Sequence, residues 1–483
     1  MQKSRLIQHL KVLTAHDWKQ FSLYVASPFF NQNKRVIILV DYLQTCAPDF
    51  DQEKLLKKLI YPILFPEAPD QYTSQPVHDH FSMVLRLLEG YFCQEAIMAK
   101  ADQNEVMLNK ALLKRGLKRP FDRRQKRFFA ENDHAANLEA FYWRFQLQLE
   151  VYNRAQISRD PGALDLLLAA DQALNRCFMA YKLKLGSERF NRQRIFKNEQ
   201  SPKIDKLMEA GLEELELFSE DPLLTVYGMG YALYAQPEDV WRYDALVNLL
   251  GEVAGRFKKD EALDAYVIAL NYAIRRFNEG DESFIERIFL LYKRILDLGL
   301  LMRDDSYFPH SMMKNIVTAG LRNKAFDWTK EYIESYVEKV EPALRNDVYA
   351  YNMAMYHFEQ NRYREALRGL SQTKFKDVFY ELGARTLQVK IYFEMGEDDS
   401  IGYLLKAFRA ALKRNKAVSA TYFKAFDDFT RFVDKVYKLK MTKGVAKQEN
   451  WDSMYEQLNT KLSSTESAIA DVTWLRDKLA ELA

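Results

Sequence analysis

Three small constellations in this 483-residue sequence are of types that could do chemistry. His78-Asp79-His80 offers two imidazoles and a carboxylate, the donors a zinc ion takes. On a helix, however, residues two apart point to different faces, so the rings do not converge on one ion, and Asp79 has a sufficient role in favouring a helix N-terminus. Ser311 with Lys314, and Ser371 with Lys374, have the Ser-x-x-Lys spacing by which a lysine serves a serine nucleophile, but the S-D-N and K-T-G motifs that accompany it are missing from the sequence. Gly228-Met229-Gly230 is a fragment of a dinucleotide fingerprint without the alternation of strand and helix that such a site needs, and is better suited to a close helix contact. His357 has no acid at a spacing that implies a pair. No catalytic residue, metal ligand or cofactor is therefore assigned, and the chain is not expected to be an enzyme.

The charge pattern says more. Between Lys100 and Ala130 there are ten Lys or Arg against three acids, and LLKRGLKRPFDRRQKRFF mixes that charge with aromatics, as where a chain meets phosphates and unstacked bases. Lys118, Arg119, Arg123, Arg124, Lys126 and Arg127 are the candidate phosphate contacts. A second basic cluster, Lys406 to Lys443, holds eleven bases and three acids, whereas Leu207 to Asp264 holds thirteen acids and four bases. Such segregation serves nucleic-acid contact, or neutralises itself within the protein or across a self-association contact. Ala417 to Lys440 places Phe426, Phe429, Val433 and Val436 on one helical face, which suits a membrane surface or a packed core alike.

Overall, hydrophobic residues are 48%, charged residues 28% and the net charge is +3, so a sizeable core is available and no global charge singles out nucleic acid or membrane. The N-terminus lacks the apolar core of a signal peptide, and no run approaches the length of a membrane span. Cys46, Cys93 and Cys177 lie far apart and form no CxxC pair, which suits reduced thiols. These features lead to the expectation of a cytoplasmic protein.

Nearly every segment shows a period of three to four, and with only 17 Gly and 13 Pro the helices should be long. The fold class is all-α. Thr14 and Asp17 stand at capping-box spacing before Trp18, Phe21 and Val25, and this helix ends before Ser27-Pro28; a second helix runs from Lys34 toward Pro48. Tyr61 to Asp70, with three prolines, reads as a linker, followed by an amphipathic helix over Val77–Phe92. Breaks fall at Asp160-Pro161-Gly162, Ser201-Pro202, Asp221-Pro222, Gln236-Pro237, Gly280-Asp281 and Gly396-Glu397. After a polar break at Met441 to Asn450, Trp451, Met454, Tyr455, Leu458 and Leu462 form one last apolar face.

Tyr351 to Leu370 reads YNMAMYHFEQNRYREALRGL, with Ala354 and Ala366 twelve residues apart across a turn. This stretch resembles a tetratricopeptide repeat, a helix, tight turn and second helix in about 34 residues. Met353, Ala354, Ala366 and Leu370 take the Leu, Gly, Ala and Phe places, Asn361 suits the turn, and Tyr363 stands where the family carries an aromatic packing back onto the first helix. Ala350 and His357 depart from the pattern, and Val378 falls where a proline is expected. Gly383 to Phe408 keeps Tyr392 and the Gly396 turn but has Val389 and Ile401 at the small positions; Met312 to Tyr336 has Phe326 placed 37 residues before Tyr363. An ordinary helical bundle shows the same short pattern.

The resemblance implies an α-α superhelix, a TPR-like helical-repeat solenoid, preceded by a small helical N-terminal module. The expected division is residues 1–127 for that module with its basic C-terminal segment, 128–441 for the solenoid and 451–483 for a C-terminal capping helix. The implied function is a scaffold or adaptor that binds a peptide or a helix on the concave face, with Asn352, Met355 and Glu359 as partner-contacting residues. The Lys and Arg of the family's carboxylate clamp are not at the matching places, where Met313, Val317, Gly383 and Leu387 stand. The alternative is a nucleic-acid-associated helical protein using residues 110–127.

Overall fold

The computed structural model describes residues 3–131, 137–195, 220–236, 238–279, 281–302, 307–414, 420–445, 447–464 and 469–483. The expected breaks at Ser201-Pro202, Pro237 and Gly280 lie outside the described residues, as do residues 207–219 of the acidic stretch and 415–419 of the second basic cluster. The described chain forms 22 α-helices and no strand. It packs as two compact units, Met1–Tyr181 and Lys182–Ala483.

The first unit contains α1 (Arg5–Leu10), α2 (Ala15–Ala26), α3 (Lys34–Thr45), α4 (Lys57–Leu64), α5 (Ser74–Met98), α6 (Ala101–Lys114), α7 (Lys118–Glu131) and α8 (Leu138–Ser158). Helix α9 (Ala163–Ile195) runs through the division. The capping box at α2 is present: the Thr14 hydroxyl accepts from the Asp17 amide at 3.2 Å, and the Asp17 carboxylate accepts from the Thr14 amide at 2.8 Å. Helix α5 packs on each of α1 to α4 around Leu6, Phe21, Leu39, Ile60, Val84 and Leu88.

Two expectations need correction here. The linker expected at Tyr61 to Asp70 begins inside α4, which carries Pro62. A proline inside a helix costs about 3 kcal/mol, but burying Ile60, Tyr61 and Leu64 returns about 1.5–3 kcal/mol each, so burial wins. The module boundary expected at residue 127 falls inside α7, because Phe121 and Phe128 of that helix are buried with Val106 of α6 and Trp143, Leu147 and Val151 of α8. A boundary cannot cut a shared core.

The second unit contains α10 (Pro222–Ala235), α11 (Val240–Val253), α12 (Lys259–Asn278), α13 (Phe284–Asp297), α14 (His310–Arg322), α15 (Phe326–Tyr336), α16 (Arg345–Glu359), α17 (Tyr363–Ser371), α18 (Val378–Met395), α19 (Asp398–Arg414), α20 (Ala420–Thr442), α21 (Gln448–Ser464) and α22 (Val472–Ala480). Each helix from α10 to α22 packs on the next. Alternate helices also meet at α10 with α12, α14 with α16 and α16 with α18. Short connections between neighbours favour antiparallel pairs. Between α16 and α17 the chain turns on Asn361, at φ 59°, and the Tyr363 ring packs on Phe358 at 5.7 Å. Ala354 and Ala366 are buried, at 2% and 0% exposure, which answers why small residues stand there.

The C-terminal region corrects a further expectation. Residues 451–483 are not one capping helix: α21 and α22 both pack on α20, with Trp451, Leu458, Leu475 and Leu479 in one core with Phe429, Val433 and Val436. That core also takes the apolar face of α20 that would suit a membrane surface. No described helix is long and apolar enough to cross a membrane.

Close approach elsewhere rests on glycines. A Cβ at Gly230 would lie 2.8 Å from Ile268 of α12, and at Gly320 it would lie 3.3 Å from the Trp328 ring of α15 and collide with Thr329. Gly320→Ala is expected to destabilise the chain by about 1–3 kcal/mol through overpacking, read as a lower urea midpoint with an unchanged slope.

Candidate functional site

Helix α14 carries Lys314, Thr318 and Arg322 at four-residue steps; α16 carries Tyr351, Met355 and Glu359 at the same steps; α18 carries Gly383, Leu387 and Lys390. Residues so spaced share one face of a helix. All nine line a cavity of about 520 Å³ in the second unit, whose remaining walls come from α12, α13, Phe426 of α20 and the start of α22 with the residues entering it. A second cavity of about 530 Å³ shares Leu321, Arg322, Phe358, Glu359 and Lys390 with it and extends to Glu394 of α18 and to Trp474 and Lys478 of α22. Together they form one groove. Gly383 lets α18 approach α16 there, since a Cβ would lie 2.8 Å from the Tyr351 ring.

The groove is aromatic and charged, with its charges mostly paired. Lys390 keeps 11% of its side chain exposed; its Nζ donates to Asp471 Oδ2 at 3.3 Å and lies 4.9 Å from the Phe358 ring centre and 5.6 Å from that of Trp474. Lys314 Nζ stands 5.4 Å from the Tyr351 ring centre. Burial pushes the pKa of Asp471 up, but Lys390, Lys314 and Arg322 outweigh it and hold the carboxyl below the usual aspartate value. Further along, the Trp474 indole donates to Glu394 at 2.9 Å and Lys478 donates to the same carboxylate at 3.0 Å. Burial alone would lower the Lys478 pKa; hydrogen bonds to Glu481 and Glu394 raise it instead.

Of the partner-contacting residues expected from sequence, Met355 and Glu359 line the groove and Asn352 does not. Asn352 is fully buried and its amide donates to the Val348 carbonyl at 2.7 Å. It follows Tyr351 by one residue, about 100° around the helix, which turns it into the packing between helices. Register explains two of the four clamp positions: Met313 and Val317 are wholly buried, and the groove face of α14 runs one residue later, through Lys314 and Thr318, whereas Gly383 and Leu387 line the groove without a cation. Lys314, Arg322, Lys390 and Asp471 went unassigned from sequence, although the four-residue spacing of Lys314, Thr318 and Arg322 was a readable signal.

The six basic residues of α7, Lys118, Arg119, Arg123, Arg124, Lys126 and Arg127, are all exposed, and Arg124 also donates to Glu105 at 2.8 and 2.9 Å. Two of the three aromatics expected to stack on bases are turned inward: Phe121 and Phe128, seven residues apart, are core residues, and Phe129 is half-buried. Elsewhere His80 is buried, its Nδ1 donating to the Pro76 carbonyl at 2.7 Å, while His78 is exposed, so the pair faces two ways. His357 is half-buried, and burial, with Arg362 nearby, lowers its pKa. The Ser371 hydroxyl donates to the Leu367 carbonyl at 2.7 Å. Among the described residues no cluster of three potential metal ligands occurs.

Comparison of the chain with protein-family models, curated proteins and solved structures finds no match.

The lowered pKa of Asp471 fixes a sign. Its ionised form stabilises the fold above the unfolded value of about 3.9, and that contribution is lost as pH falls through the folded value below it. Asp471→Asn should therefore be less stable than the parent by a constant margin from about pH 7 to about pH 5, and the margin should close below about pH 4, as read by denaturant unfolding across that range.

Proposed function

We propose that the chain is a non-catalytic protein-protein interaction scaffold or adaptor, built as a TPR-like α-α superhelix, that takes a peptide or a helix in the groove of α14, α16 and α18. The observation that carries this reading is the alignment of one face from each of these alternate helices along a continuous groove. Tyr351, Met355, Phe358 and Leu387 give a guest side chain apolar surface, while Asn278 and Asn315 offer amides to a guest backbone. The consecutive packing of α10 to α22 and the Asn361 turn support the repeat reading. A cytoplasmic setting accords with Cys46, Cys93 and Cys177 being free thiols.

A second reading rests on α7. Arg119, Arg123 and Lys126 lie at helical spacing on its exposed side, opposite buried Phe121 and Phe128. With Phe121 and Phe128 buried, such a face would hold phosphates without reading bases.

Affinity capture with the purified chain, with and without nuclease, separates the two. The groove reading expects a nuclease-resistant partner whose recovery drops about tenfold or more with Met355→Glu, a loss of about 1.4 kcal/mol or more. Recovery that vanishes with nuclease and with Arg119→Glu/Arg123→Glu, but ignores Met355→Glu, would reverse the order of the two readings.

A further inference from the structure

We propose that the chain forms an antiparallel dimer through α9, whose solvent face carries a coiled-coil seam that the same helix of a second copy covers. The groove plays no part in this inference.

Helix α9 is one continuous helix, Ala163–Ile195, and it is apolar on two sides. One side, with Ala170, Ala173, Cys177, Ala180 and Leu183, is buried. The other carries Leu164, Leu167, Asp171, Leu174, Phe178, Tyr181 and Leu185 at alternating steps of three and four residues, and every one of them is exposed. Such steps average about 3.5 residues, the period by which one helix presents a seam to another. Leu164 keeps 65% of its surface exposed and Leu185 56%, and Leu168, beside the seam, keeps 52%. A helix apolar on both sides is stable in water when both are covered, and contiguous exposed apolar patches mark contact sites. From Leu164 to Leu185 the seam runs about 32 Å, or about three heptads, which is long enough for a helix pair.

Asp171 selects the occupant and its direction. It is the one charged residue between Leu164 and Leu185 on the seam, and its carboxylate accepts from the Asn175 amide at 3.4 Å. In a parallel pair Asp171 would face its own copy, two like charges inside an apolar contact. In an antiparallel pair Leu164, Asp171, Phe178 and Leu185 of one copy meet Leu167, Leu174 and Tyr181 of the other, and the register decides which meets which. A register that sets Asp171 against Leu174 leaves a carboxylate on apolar surface. Sliding the copies by one heptad sets it against Tyr181 instead, the seam residue whose side chain ends in a hydroxyl, and the other layers become Leu167 with Leu185 and Leu174 with Phe178. A phenol donating to a carboxylate makes a charge-assisted hydrogen bond. Each layer occurs twice about the two-fold axis, so the seam is its own complement.

Sedimentation equilibrium of the purified full chain at micromolar concentrations tests this. The parent should dimerise, and Phe178→Glu should weaken association about a hundredfold or more, because the two-fold axis introduces the charge twice. Should Phe178→Glu lose cooperative melting, Leu185→Glu, at the more exposed position, carries the test with the same expectation. For direction, Asp171→Cys and Tyr181→Cys are each made in a Cys93→Ser chain, which removes the exposed native thiol. With a short bismaleimide, a mixture of these two chains should give cross-linked dimer and Asp171→Cys alone should give little. A parent that stays monomeric overturns the proposal, as does a dimer indifferent to both Phe178→Glu and Leu185→Glu. Asp171→Cys joining itself as readily as it joins Tyr181→Cys overturns the antiparallel register. A monomer whose Asp171→Cys thiol resists maleimide would mean that another part of the same chain covers the seam, and also overturns the proposal.

Discussion

A helix in the middle of the second unit must satisfy more neighbours than it has spare surface for, and that constraint shapes the rest. Helix α16 packs against α14, α15, α17 and α18. Val348, Ala350, Tyr351, Asn352, Ala354, Tyr356 and Phe358 are all buried, which takes up most of its circumference. A helix apolar nearly all round is stable only inside a packed array. Two strips remain, one through Tyr349, Met353 and His357 and one through Met355 and Glu359; the second, together with the matching strips of α14 and α18, becomes the groove. The groove is thus what close packing leaves over, and its position follows from the core.

The same constraint explains the chemistry found there. Cations set among aromatic rings lose water on one side, and they persist where a carboxylate compensates them. Lys390 is held by Asp471, and Lys478 by Glu394 and Glu481, so the C-terminal helix contributes partners to both halves of the groove. Its role in the core, through Leu475 and Leu479, is ordinary hydrophobic burial. One short helix therefore stabilises the end of the array with one face and balances charge with the other.

Much of this was legible in the residues. The all-helical class, the Thr14 capping box, the turn at Asn361 and the αL residue Gly396 closing α18 follow from local rules that depend on a few neighbours in the chain. Met355 and Glu359 were reachable because four-residue spacing defines a face. Asn352 was misplaced by analogy with a pattern that this chain keeps only in part. Lys314, Arg322 and Lys390 were missed because they come together from two helices far apart in sequence, and Asp471 reaches Lys390 across 81 residues. The boundary at residue 127 failed for a similar reason: polar and basic composition describes the outside of α7, while Phe121 and Phe128 decide what it packs with. Composition reports the solvated face, and domain limits are set by the buried one.

The central claim is that a partner sits against the groove of α14, α16 and α18. The most direct measurement is site-specific photo-crosslinking, with a benzophenone amino acid at Met355 in one chain and, as a control, at Tyr403, which is 75% exposed on α19 and lines neither cavity. The account predicts a discrete adduct from position 355, insensitive to nuclease, and none from position 403. Adducts of equal strength from both positions, or from position 403 alone, would contradict it.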